Sequence, residues 1–170
     1  MGANQQGANA IQGRWLTIPR TLCFVTNGDD VLLMRRAAHK RVFPNQYNGL
    51  GGHIERGEDV YASARREILE ETGLHVDNLQ LRAVYNIDAG EETGIILFVF
   101  TGISRTREVI ANDEGALHWI PQNAVMQFDL VEDLPMILPR VLEMQDGDAP
   151  LYVHVSYDED DCIQLRFAER

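Results

Sequence analysis

Residues 52–74 read GHIERGEDVYASARREILEETGL, and the reading of this stretch decides the fold. Its second half has helical spacing, and an α-helix turns about 100° per residue, so Glu67, Glu70 and Glu71 project within an arc of roughly 100°. Like charges at i, i+3 and i+4 repel by a few tenths of a kcal/mol per pair on a bare helix surface. The pattern therefore predicts three convergent carboxylates that a cation neutralises. Hard oxygen donors with water access suit Mg²⁺, with Mn²⁺ as the alternative, better than zinc. Upstream, Gly49, Gly51 and Gly52 allow the backbone to come close to a ligand.

The stretch resembles the Nudix box, G-x5-E-x7-R-E-U-x-E-E-x-G-U with U aliphatic. Gly52, Glu58, Arg66, Glu67, Ile68, Glu70, Glu71, Gly73 and Leu74 fill every fixed position. The resemblance implies an α+β protein with the Nudix fold, an α/β/α sandwich around a mixed β-sheet. It also implies an enzyme that hydrolyses a nucleoside diphosphate linked to another group. By the same resemblance, Glu67, Glu70, Glu71 and the Gly51 carbonyl would hold the metal. Glu67 or Glu70 would be the general base, with Arg66 orienting Glu70 and Glu58 paired to an arginine.

Length and composition bound the rest. A chain of 170 residues fits one domain with a full core, and 45% hydrophobic residues argue against disorder. Residues 1–13, rich in Gly, Asn, Gln and Ala without periodicity, are expected to form a disordered tail, followed by a single domain over 14–170. A formal charge of −11 repels nucleic-acid polymers and points to a small-molecule substrate screened by metal, which the resemblance makes a nucleotide. Cys23 and Cys162 sit in strand-like runs, which predicts reduced, packed thiols. No apolar run reaches membrane-spanning length and no signal-peptide pattern opens the chain, so a cytoplasmic protein without a membrane partner is expected. Monomer and homodimer both remain open.

Along the chain, residues 22–26 and 31–34 flank Asn27-Gly28-Asp29-Asp30, a hairpin signal. Residues 47–54 read as a strand. The helix of the box should start near Asp59, stop at Gly73 and be sandwiched between sheets, with Tyr61, Ala64 and Ile68 on one flank and Ala62 and Leu69 on the other. Residues 81–87, 95–101 and 116–120 read as strands. Residues 134–144 read as a helix with Pro139 inside it, and 151–157 with 162–167 as a closing hairpin.

Outside the box, Asp113 and Glu114 precede the strand holding His118 and Trp119, and the family often supplies another acidic ligand or base there. Glu114 is the candidate, against a solvated turn as the alternative. His53 and Arg35 are candidates for phosphate contact, against an ordinary strand histidine and a solvated basic face; Trp119 reads as core rather than a stacking platform. The stretch Tyr47-Asn48-Gly49-Leu50-Gly51-Gly52 is similar to that of the MutT-type, oxidised-purine nucleoside triphosphatases of the family, which implies base reading by Asn48 and Asp133. The residue types allow it, since a carboxamide can both donate and accept. Unlike those relatives, the chain has no tryptophan just before its acidic pair, Glu132-Asp133. Markers of other branches are absent: no proline lies between Pro44 and Pro121, and two cysteines cannot build a four-cysteine zinc ribbon. The expectation is hydrolysis of a nucleoside triphosphate, such as an oxidised purine, to monophosphate and pyrophosphate. The alternatives are an ADP-ribose, dinucleotide polyphosphate, isoprenoid or sugar diphosphate substrate, or a non-catalytic nucleotide sensor.

Overall fold

The computed structural model describes residues 3–8, 11–110 and 112–169. These form one eight-stranded mixed sheet with a helix on each face. In chain order the strands are β1 (Leu16–Asn27), β2 (Asp30–Arg36), β3 (Tyr47–Asn48), β4 (Val76–Ile87), β5 (Thr93–Ser104), β6 (Gly115–Pro121), β7 (Leu151–Tyr157) and β8 (Ile163–Phe167). Helix α1 (Val60–Thr72) precedes β4, and α2 (Leu134–Glu143) precedes β7. The sheet runs β3-β2-β1-β5-β4-β7-β8, with β6 also on β2; β1/β5 and β4/β7 are parallel and the other pairs antiparallel.

Strict alternation in β1 explains the two layers. Cys23 and Val25 face one side, where Leu32, Met34, Leu50 and Phe100 meet Ala64 and Ile68 of α1. Leu22 and Phe24 face the other, where Val31, Leu33, Tyr85 and Val99 meet Leu134, Ile137, Leu138 and Val141 of α2. The hairpin closes at Asn27↔Asp30 with Gly28 at φ 59°, so the glycine supplies the left-handed turn residue. Asp59 caps α1, its carboxylate accepting from the N–H groups of Tyr61 (2.8 Å) and Ala62 (2.9 Å). Gly73 ends the helix at φ 75°. Pro139 lies inside α2 as expected.

Four expectations are corrected. Helix α1 is not held between sheets: it packs on one face, and Tyr61 and Leu69 remain 45% and 41% exposed. Cys162 is exposed, so only Cys23 is a packing thiol. The strand expected over 47–54 is broken, because the chain leaves β2 after Asn48 and bridges to β1 through Leu50 and His53 instead. Strand β1 starts at Leu16, where Pro19 and Arg20 hid it from periodicity, because parallel pairing with β5 runs from Leu16↔Thr93 to Thr26↔Ile103. Bulges likewise obscure the first half of β4. Of the expected tail, residues 3–8 include a short 3₁₀ turn over Ala3–Gln6, while 1, 2, 9 and 10 lie outside the described residues.

One-sided packing of α1 makes two adjacent aliphatic residues unequal. Ile68→Ala should cost about 2–5 kcal/mol in urea denaturation, whereas Leu69→Ala should stay within about 1 kcal/mol. Equal losses would mean that Leu69 is covered.

Candidate active site

The site is assembled where α1 meets the segment between β3 and the helix. Gly51 has φ 135°, and a Cβ there would stand 2.2 Å from the Thr21 carbonyl oxygen. A Cβ on Gly52 would stand 2.6 Å from Oε1 of Glu67. Both positions therefore exclude side chains for steric reasons, and the second brings peptide backbone against the Glu67 carboxylate.

Arg66 organises the acidic residues. Its Nε and Nη2 donate to the two oxygens of Glu58 at 3.0 and 2.6 Å, a bidentate pair. Its Nη1 donates to Glu67 Oε1 at 2.9 Å and to Glu70 Oε2 at 3.0 Å, and Nη2 also reaches the His53 carbonyl at 3.1 Å. The Arg66 contact holds the Glu58 carboxyl down to about 2. Glu67 is well covered while Glu70 is largely exposed, with side-chain exposures of 13% and 59%.

Glu71 belongs to a different microenvironment. Its Oε2 accepts from the Gly51 N–H at 2.9 Å. Burial pushes its carboxyl up to about 7, with Glu67 and Glu114 adding to the rise; the Gly51 hydrogen bond and Arg36 oppose it. Among the described residues no three acidic, His or Cys side chains form a preassembled ion-binding group. The expected convergence of Glu67, Glu70 and Glu71 is thus divided: Arg66 draws two of them to itself, and the third turns to the Gly51 amide. Each still carries a second oxygen, and a half-buried carboxylate raised by desolvation and two anionic neighbours is a place where a divalent cation relieves repulsion. The donor set fits a hard cation.

The remaining expected residues surround this centre. Glu114 pairs with Lys40 at 2.5 Å and lies within electrostatic reach of Glu71. His53 is exposed, and Arg35 is exposed with its Nε on the Asn45 carbonyl at 3.2 Å. Asn48 is half-buried and its Oδ1 accepts from the Gly49 N–H at 2.8 Å, which occupies its acceptor locally. Asp133 lies at the start of α2 on the opposite face of the sheet from α1; burial, with Glu132 adding, pushes it up to about 6. Trp119 is half-buried against the α1-side core, its Nε1 donating to the Arg107 carbonyl at 3.0 Å.

Sequence reasoning missed Asn112. Its amide donates to the Glu71 carbonyl, and its Oδ1 accepts from the Glu114 N–H at 2.8 Å, so it ties the end of α1 to the loop that carries Glu114. Nothing in the local sequence distinguishes it from any loop asparagine. It acts across 41 residues of chain.

With this geometry in view, comparison with known proteins is decisive. The family described as NUDIX domain matches residues 16–141. The chain belongs to the Nudix family and is a Nudix hydrolase. It is similar to the nucleoside triphosphatase NudI of Escherichia fergusonii, at 31% identity over 120 residues, covering 62% of this chain and 83% of the relative. The NudI of Salmonella typhimurium is 29% identical over 118 residues, with the same coverage of 62% and 83%. In structure it resembles the MutT protein of Bacillus halodurans, with a TM-score of 0.74 at 26% identity, covering 88% of this chain and 97% of that one. Nudix hydrolases generally use divalent metals. Among the described residues no helix is long and apolar enough to cross a membrane.

The Glu71 environment yields a test in the metal-free protein. A carboxyl whose folded value lies above its unfolded one costs stability as pH rises through that interval. Glu71→Gln can still accept the Gly51 hydrogen bond, so it should be more stable than the parent at pH 8 by roughly 1–3 kcal/mol and no more stable at pH 4. Denaturant melts at the two pH values measure this, and equal differences at both would disprove the burial argument.

Proposed function

We propose that this Nudix hydrolase cleaves a nucleoside triphosphate to the nucleoside monophosphate and pyrophosphate, using Mg²⁺ or, in its place, Mn²⁺. The observation that carries the reading is the joining of the box: Arg66 bonded to Glu58, Glu67 and Glu70, with Glu71 on Gly51. Similarity to NudI, a nucleoside triphosphatase, supports the substrate class. Oxidised purines are the narrower candidate, suggested by the likeness of residues 47–52 to the oxidised-purine branch.

Glu67, Glu70 and Glu71, with the Gly51 carbonyl, would hold the cation, which supplies charge neutralisation on phosphate oxygens and activation of water. Glu67 or Glu70 takes the proton of the attacking water. Water oxygen bonds to phosphorus as the bridging P–O bond breaks, and the leaving phosphate carries away the electron pair. Arg66 acts by orientation, because its planar fork fixes Glu67 and Glu70 relative to the 53–58 loop. Glu114, within electrostatic reach of Glu71, would serve as a further acidic ligand or base once released from Lys40. Exposed His53 and Arg35 would meet the phosphate chain, with Gly52 providing close backbone approach. Asn48 and Asp133 would read the base; for Asn48 this requires its Oδ1 to release the Gly49 N–H or its amide nitrogen to make the contact.

Product analysis tests the reaction. A panel of ordinary and oxidised nucleoside triphosphates, ADP-ribose, diadenosine polyphosphates and isoprenoid diphosphates, with Mg²⁺ or Mn²⁺, should give pyrophosphate from triphosphates. Turnover confined to another diphosphate would keep the glutamate chemistry and discard the substrate. Glu71→Gln should lower turnover about 100-fold or more without loss of fold; unchanged turnover at saturating Mg²⁺ would remove Glu71 from the metal site. Asn48→Ala should raise KM for the preferred base by about 5- to 100-fold, and no change with any nucleotide would end the base-reading role.

A further inference from the structure

Strand β2 gives one edge to β6 from Asp30 to Arg36. Its other edge is shared: β1 pairs with Asp30, Val31 and Leu32, and β3 pairs with Met34 and Arg35. Strands β1 and β2 therefore splay beyond Val25↔Leu32, and the 47–53 segment fills the wedge, bonded to β1 through Cys23 N–H to Leu50 O (2.7 Å) and Thr21 N–H to Gly52 O (2.9 Å). Arg20 lies on the β1 side of this wedge, opposite His53, and Arg36 lies on the β2 side.

The two arginines differ in how they are satisfied. Arg36 donates through Nε to the Val42 carbonyl at 2.8 Å. Arg20 is half-buried, and its Nε is shielded from water without a hydrogen-bond partner among the described residues. The adjacent Thr21 Oγ1 is likewise buried and unpartnered. Burial and the charge of Arg36 both work against the Arg20 guanidinium. In a chain with 26 acidic residues, a partly buried arginine ordinarily finds a carboxylate. Arg82 illustrates the usual outcome: it is buried with its Nε on Thr101 Oγ1 and Nη1 on the Gln145 carbonyl, both at 2.8 Å, and its Nη2 lies 3.9 Å from Asp146 Oδ1. Two cations on the strands that border the segment carrying Gly51 and Gly52, near enough for the charge of Arg36 to act on Arg20 and with no ion pair to Arg20 among the described residues, form an arrangement an anion completes. Arg36 is also within electrostatic reach of Glu71, so the β2 side of the wedge borders the glutamate site.

We propose that Arg20, across the wedge from Arg36, is a substrate-binding residue that receives non-bridging oxygens of the polyphosphate chain. This rests on the reading of the substrate as a nucleoside triphosphate, and it adds a residue outside the box to the machinery. The guanidinium provides paired donors to a phosphate, which would give Arg20 the anionic partner it lacks among the described residues.

The test joins steady-state kinetics to calorimetric binding of inorganic tripolyphosphate, which carries the phosphate chain without a base, using the parent, Arg20→Gln and Arg20→Lys. Arg20→Gln should raise KM for the triphosphate about tenfold or more and weaken tripolyphosphate by a similar factor, with kcat within about threefold; Arg20→Lys should fall between. Unchanged tripolyphosphate affinity in Arg20→Gln overturns the proposal, and so does a loss confined to the nucleotide, which would place Arg20 at the nucleoside end. If the parent cleaves no triphosphate yet binds tripolyphosphate through Arg20, the phosphate role stands and the substrate reading falls. If Arg20→Gln does not fold, Arg20→Lys decides by the same titration, a loss of about threefold or more supporting the role and none overturning it.

Discussion

One guanidinium holds the active region together. Arg66 bonds Glu58 through two nitrogens, shares Nη1 between Glu67 and Glu70, and reaches the His53 carbonyl. The loop before α1 and the acidic surface of α1 are therefore one body. Without this charge the glutamates would repel along the helix and the 53–58 loop would lose its link to it. Because a planar fork satisfies several acceptors in fixed directions, lysine is not an equivalent residue here.

The second constraint is steric and comes from the sheet. Splaying of β1 from β2 opens a wedge that only a chain with small residues can enter: Gly51 lies against the Thr21 carbonyl, Gly52 against Glu67, and a Cβ on Gly49 would stand 2.8 Å from the Phe24 ring. The same wedge leaves Arg20 and Arg36 on opposite sides of the inserted segment. Site and scaffold thus share their cause. Glycine lets the peptide bonds of residues 49–52 occupy space that side chains fill elsewhere, and this brings backbone donors to the carboxylates, as the Gly51 N–H to Glu71 shows.

Much of the fold was legible because several signals were local. Asp59 and Gly73 marked both ends of α1, Asn27 to Asp30 marked the hairpin, continuous apolar runs marked the cores of β1 and β2, and alternation marked β7 and β8. What escaped notice depended on partners remote in sequence. The start of β1 is polar and contains Pro19, yet it is a strand because β5 lies parallel beside it. Leu69 looked like a packing residue by period alone, but α1 meets only one face of the sheet.

The sequence by itself determined the chemistry available: three glutamates at helical spacing, an arginine next to the first, and glycines ahead of them. Those follow from the turn of a helix and from the absence of a Cβ, which need no knowledge of distant contacts. The tertiary structure alone decided how the charges are divided. Arg66 takes Glu67 and Glu70, while half-buried Glu71 is bonded to the Gly51 N–H and its carboxyl is raised by desolvation, then by Glu67 and Glu114. It also decided that Asn112 joins α1 to the Glu114 loop and that the Arg20 Nε has no hydrogen-bond partner among the described residues. Burial, desolvation and pairing across the sheet depend on which segments meet in space, and no local pattern encodes them.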